Sequence, residues 1–233
     1  MLDGALVHLQ SLLIQVAALI IGLSVHESAH AVASYLLGDS TARARGRVSL
    51  NPLAHIDPFG TVLLPLLMLL AGGPVFAFAK PVPVYLGNLK HPKRDEVLVS
   101  LAGPASNLVL AVAFAWLMGV IWSFALGSMQ YGTVAYTAWT LAVRFCTASI
   151  VLNLSLAFFN LIPLPPLDGS SILAPLLRGD ALRAYYRVQR YSMPILICVL
   201  YLIPMVSGID LIGIYFDHTV YPLANMLLSV FAG

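Results

Sequence analysis

Long apolar runs separated by short polar breaks are the main pattern along this chain. The first run, residues 5–37, is unbroken and rich in helix formers, which predicts a membrane helix. No Lys or Arg precedes it, the first being Arg43, and it is longer than a signal-peptide core. It is therefore expected to stay in the mature protein. Residues 38–58 are polar and turn-rich. Between Thr41 and Ser49, Arg43, Arg45 and Arg47 alternate with Ala44, Gly46 and Val48, a period of two that predicts a short strand. Asn51-Pro52 and Asp57-Pro58 then mark turns on either side of His55.

Residues 59–79 are apolar but broken by Pro65 and by Gly72-Gly73-Pro74, which leaves a stretch short for a crossing. Pro81 and Pro83 alternate with valines and predict extended backbone, and Lys90 to Glu96 form a polar collar. Residues 97–126 and 133–162 predict two more membrane helices. Ala102, Gly103 and Ser106 offer a small face for close packing, and Asn107 is expected to face protein rather than lipid. Arg144 lies within the third run, where arginines usually snorkel or pair. Pro163, Pro165 and Pro166 end that run and leave Asp168-Gly169 on irregular backbone, tolerated in a membrane only against protein or a wet cavity. Arg178, Arg183, Arg187 and Arg190 form a second basic cluster. Residues 191–212 predict a last span, and residues 221–231 are too short to cross.

Composition agrees with this pattern. Hydrophobic residues make up 60% of the 233 and charged residues 9%, with a mean hydropathy of +0.90, so lipid is the solvent for most of the chain. The length suits one membrane domain, residues 1–233. A net charge of +2 is too small to suggest nucleic acid. Cys146 and Cys198, both mid-run, read as packing residues and not as a disulfide framework. The expected fold is an all-α multi-spanning helical bundle with a short re-entrant or interfacial β segment after the first helix.

Candidate chemistry sits inside the first run, at His26-Glu27-Ser28-Ala29-His30. On a helix the two histidines share a face four residues apart, so both imidazoles reach one tetrahedral Zn²⁺. Glu27 then stands beside the water that the ion activates, placed to take its proton. A buried polar cluster that helps helices pack is the bland alternative, but ionisable groups in a bilayer-length run default to function. A catalytic zinc wants a third protein ligand. Asp57, His55, Asp168, Asp210, Asp217 and His218 are the candidates, and the proline-held break favours Asp168.

H-E-S-A-H in a membrane helix, L-A-G-P-A-S-N at 101–107 and N-L-I-P-L-P-P-L-D-G at 160–169 together resemble the site-2 protease family of intramembrane zinc metalloproteases. The resemblance covers roughly residues 20–170, leaving 171–233 as accessory C-terminal helices. It implies one Zn²⁺ per chain on His26, His30 and Asp168, with Glu27 as general base and Asn160 near the substrate or the developing oxyanion. N-P-L-A-H-I-D-P-F-G-T at 51–61 is similar to a compact prokaryotic branch, in which His55 either assists the site or is structural. The PDZ insertion and CBS pair of some members are missing, so regulation through them does not carry over. The implied substrate is a transmembrane protein cut in or near its membrane segment. A metal-ion transporter and an inactive membrane scaffold are the rival readings. A helical substrate must be locally extended before attack, and the strand expected at 41–49 is the candidate to pair with it.

Parity adds a topological expectation. His30 lies eight residues before Gly38, roughly 12 Å in from that end of the first helix. Asp168 must meet the same ion, so residues 38–96 should leave one membrane face and return to it, turning near Gly72-Gly73-Pro74. All basic clusters then share a side, which the positive-inside rule makes cytoplasmic in a cell membrane.

Overall fold

The computed structural model describes residues 2–63, 67, 80–125 and 130–232. In chain order, α1 (Leu2–Leu36) and the short α2 (Thr41–Ala44) are followed by α3 (Pro92–Ala125) and α4 (Val134–Asn160). α1, α3 and α4 are long and apolar enough to cross a membrane. Thr133 starts α4 by accepting the Tyr136 N–H on its hydroxyl oxygen. The chain then forms α5 (Asp168–Leu173) and α6 (Gly179–Gln189). Next come α7 (Ser192–Ser207), α8 (Leu211–His218) and α9 (Val220–Ala232).

Lipid tails are as apolar as leucine, so these helices associate through close packing and a few polar contacts. Ala111, Ala115 and Met118 of α3 meet Cys146, Ile150 and Leu154 of α4 in a fully buried seam, and the small alanines let the two backbones approach. Val220, Ala224 and Leu227 of α9 close that cluster. Tyr215 of α8 donates to the Phe158 carbonyl at one end of the bundle (3.2 Å), and the Phe231 carbonyl of α9 lies against Gly119 towards the other. The tail too short to cross alone thus completes the bundle as the second part of a broken helix. Both cysteines are unpaired, Cys146 buried and Cys198 partly so.

Two expectations change. Residues 41–49 are not a strand, and the described residues contain none. The Asp39 carboxylate accepts the Thr41 N–H (3.0 Å) and hydroxyl, which winds the chain into α2. Gly46 then turns it at φ +69°. The alternating arginines do not share one exposed edge either. Arg47 is buried and donates to the carbonyls of Ala54 and Lys80. The span expected at 191–212 is a helical run that stops at Gly208 and is bent 67° from α6; it makes a fourth crossing only if α6 and α7 count as one broken span.

The turn expected near Gly72-Gly73-Pro74 lies outside the described residues. The ends of that stretch, however, meet. The Lys80 N–H donates to the His55 carbonyl (2.9 Å), and the Lys90 N–H to Leu37 at the end of α1 (3.3 Å). Asp39 also accepts from the Tyr85 N–H (2.7 Å) and the Asn88 amide (2.9 Å). The chain leaves the end of α1 and returns to it.

Candidate metal centre

His26 and His30 project from consecutive turns of α1 and are both buried. Their Nε2 atoms lie 3.1 Å apart, and Asp168 Oδ2 stands 3.1 Å from the first and 3.3 Å from the second. Among the described residues this is the one group of three or more such side chains close enough to hold a metal.

The surrounding hydrogen bonds settle where the imidazole protons are. Asn107 donates both amide hydrogens, one to the Gly22 carbonyl (3.1 Å) and one to Asn153 Oδ1 (2.7 Å). Its oxygen can only accept, so His26 Nδ1 is the donor across the 2.5 Å contact. The Val99 carbonyl likewise accepts from His30 Nδ1 at 2.7 Å. With each Nδ1 proton held in this way, a neutral imidazole presents its Nε2 lone pair. Those two lone pairs and Asp168 Oδ2 converge on one point. Two imidazoles and a carboxylate at these distances form a donor set that could hold a metal ion. A tetrahedron of zinc–ligand bonds of about 2.0–2.1 Å has edges of about 3.3 Å, so the observed triangle fits such an ion.

The backbone leaves room for this triangle. A Cβ on Gly103 would stand 2.6 Å from the His26 ring and closer still to His30 Nε2, so α3 can pass the histidines only as glycine. Asp168 and Gly169 form the first turn of α5 instead of the expected irregular backbone; a Cβ on Gly169 would strike the carbonyls of Leu161 and Ile162, so Gly169 lets that turn fold back onto the end of α4.

A cavity of about 690 Å³ opens beside the triangle. Glu27 and Asn160 line it together with Pro81, Val82 and Val84. One amide hydrogen of Asn160 goes to the Leu156 carbonyl (2.9 Å), and the other remains for the cavity. His55 does not line the cavity. It is buried, with Nε2 2.6 Å from the Ser49 carbonyl and 3.3 Å from the Ser28 hydroxyl, and so ties the loop to the helix that carries the histidines. Three other candidate ligands make contacts away from the triangle, and Asp217 is not part of it either. Asp57 accepts the Gly60 N–H, Asp210 caps α8, and His218 donates to the Ile214 carbonyl. Gly103 in a close contact and Asn107 facing protein agree with the sequence, but their roles beside the histidines, and that of Asn153 behind Asn107, were not foreseen. Their signal was an asparagine and a glycine inside apolar helices.

Buried His₂Asp geometry in a helix bundle, with a carboxylate and a cavity beside it, is that of a metal-dependent hydrolase site. The profile of peptidase family M50 matches residues 14–203. "Putative zinc metalloprotease YwhC" of Bacillus subtilis is 39% identical over 193 residues, covering 82% of this chain and 81% of that protein. "Putative zinc metalloprotease Rip2" of Mycolicibacterium smegmatis is 30% identical over 206 residues, covering 88% and 73%. No solved structure matches. The chain belongs to peptidase family M50.

Proposed function

We infer that this protein is a zinc-dependent intramembrane endopeptidase that cuts membrane proteins in or near their transmembrane segments, with one Zn²⁺ per chain on His26, His30 and Asp168. The observation that carries this reading is the convergence of His26 Nε2, His30 Nε2 and Asp168 Oδ2 beside a cavity lined by Glu27. When bound there, zinc supplies Lewis acidity and a water of lowered pKa. Glu27, which lines the same cavity, would take a proton from the water that attacks the scissile carbonyl and return it to the leaving amine. The free amide hydrogen of Asn160 faces the developing oxyanion. His55 acts at a distance, holding the loop against Ser28.

Substrate extension falls to residues 80–85. Lys80 and Val82 precede prolines and are confined to extended conformations. The side chains of Val82 and Val84 line the cavity, and no described residue accepts their N–H groups. An unwound substrate pairs with this edge. Val82→Pro removes one N–H and should slow cleavage with zinc content unchanged; a wild-type rate rules the edge out.

The 233 residues act as one catalytic unit in the cell membrane, with residues 171–233 accessory. The site opens towards the cytoplasm, because the site-side segments carry the basic clusters. Comparing membrane proteomes with active and Glu27→Gln enzyme tests the reading. Shortened membrane proteins should appear only with the active enzyme, while purified Glu27→Gln keeps its zinc. Identical fragment patterns would end the protease reading, and zinc loss would make Glu27 a ligand.

A further inference from the structure

Far from the metal, α1 and α4 enclose a groove of about 390 Å³ that includes Ser11, Gln15, Val143, Arg144, Thr147 and Val151. Arg144 is exposed, yet it stands inside a helix apolar enough to span the membrane. An arginine keeps its charge in lipid, so it needs an anion or a route to water. Among the described residues the bundle provides it no anion. None of the groove's side chains is acidic, and Arg144 makes no ion pair among the described residues.

Depth identifies what can reach it. Arg144 lies sixteen residues before Asn160 on α4, or about 24 Å along the helix from the site end. Gln15 lies eleven residues before His26 on α1, about 16 Å from the metal in the same direction. Both stand near the far edge of a hydrocarbon core of roughly 30 Å. Aromatic rings mark that edge. Trp122 and Trp139 are 5.3 Å apart, and Tyr136 lies 6.0 Å from Trp139, a cluster one to two turns nearer the start of α4 than Arg144. Indole and phenol rings gather at the headgroup level. A guanidinium reaching out from Arg144 arrives where lipid phosphates sit, flanked by the hydroxyl of Ser11 and the amide of Gln15.

We propose that the α1–α4 groove is a phospholipid site in the leaflet away from the metal centre, with Arg144 binding the phosphodiester and Ser11 and Gln15 donating to its oxygens. Acyl chains follow the apolar walls formed by Val143 and Val151. The site is independent of the protease reading, since it needs only that the bundle sits in a bilayer.

Delipidated full-length protein in mild detergent, titrated with defined lipids and followed by native mass spectrometry, tests this. Phosphatidylglycerol and phosphatidylethanolamine should each give one tightly held adduct, and diacylglycerol, which lacks phosphate, none. Arg144→Gln should weaken that adduct about tenfold, the scale of one charge-assisted contact. Arg144→Lys should retain part of it. Zinc content and lipid-free melting temperature, measured alongside, establish that each variant is folded; should Arg144→Gln not fold, Gln15→Leu with Ser11→Ala makes the same comparison. Equal phosphatidylglycerol binding by wild type and folded variant, or diacylglycerol binding as tight as phosphatidylglycerol, overturns the proposal.

Discussion

Asn107 holds the candidate metal centre in place without being one of its three ligand side chains. Its amide links three helices, through Gly22 and His26 of α1 and Asn153 of α4. Because both its hydrogens are donated, its oxygen presents His26 Nε2 as a ligand. Asn107→Leu leaves that imidazole free to rotate or change tautomer, and should weaken zinc about 10–100-fold, the usual effect of losing such a partner. Titration against a competing chelator reads this directly, and unchanged affinity would show that α1 alone orients His26. Two histidines four apart announce themselves in a sequence. Nothing in the sequence says which of several asparagines faces them, because that pairing crosses eighty-one positions.

At the scale of elements, the loop from α1 to α3 is held by one carboxylate. Burial pushes the Asp39 carboxyl up, but hydrogen bonds from Asn88, Thr41 and Tyr85 outweigh it and hold the pKa at about 2, below the ordinary 3.8. A depressed pKa means that the charged form stabilises the fold. That contribution is complete above about pH 4 and is lost as the pH falls from 3.8 through 2. Asp39→Asn turns an amide N–H₂ towards donors and should cost roughly 1–3 kcal/mol near neutrality. The stability gap to wild type should then narrow as the pH drops through that window. Thermal unfolding in detergent at several pH values measures it, and a constant gap would mean that the carboxylate's charge contributes nothing. The same carboxylate explains why the alternation of Arg43, Arg45 and Arg47 misled. Local period suggested a strand, whereas a side-chain contact two residues away wound Thr41–Ala44 into a helix.

For the whole molecule, the contacts of Leu37 and Asp39 with residues 85–90 place the end of α1 and the start of α3 on one side. In a background lacking Cys146 and Cys198, Ser40→Cys and Lys90→Cys should react with an impermeant thiol reagent from one face of sealed vesicles, and Tyr131→Cys from the other. Reaction of Ser40→Cys and Lys90→Cys from opposite faces would overturn the topology. Three membrane helices, the His26–Glu27–His30 motif and the break that carries Asp168 were all legible in the sequence. Each depends on short-range information, namely apolar run length, helical spacing and proline stops. The sequence favoured Asp168 as the third ligand, and the tertiary structure brings it beside the two histidines; that Gly103 clears space for them and that His55 stays outside the cavity was decided by the tertiary structure alone. It likewise decided that α9 fills the core and that Arg144 makes no ion pair among the described residues. Those outcomes depend on which faces of distant helices meet, and in lipid, where every face is apolar, hydrophobic pattern does not choose between them.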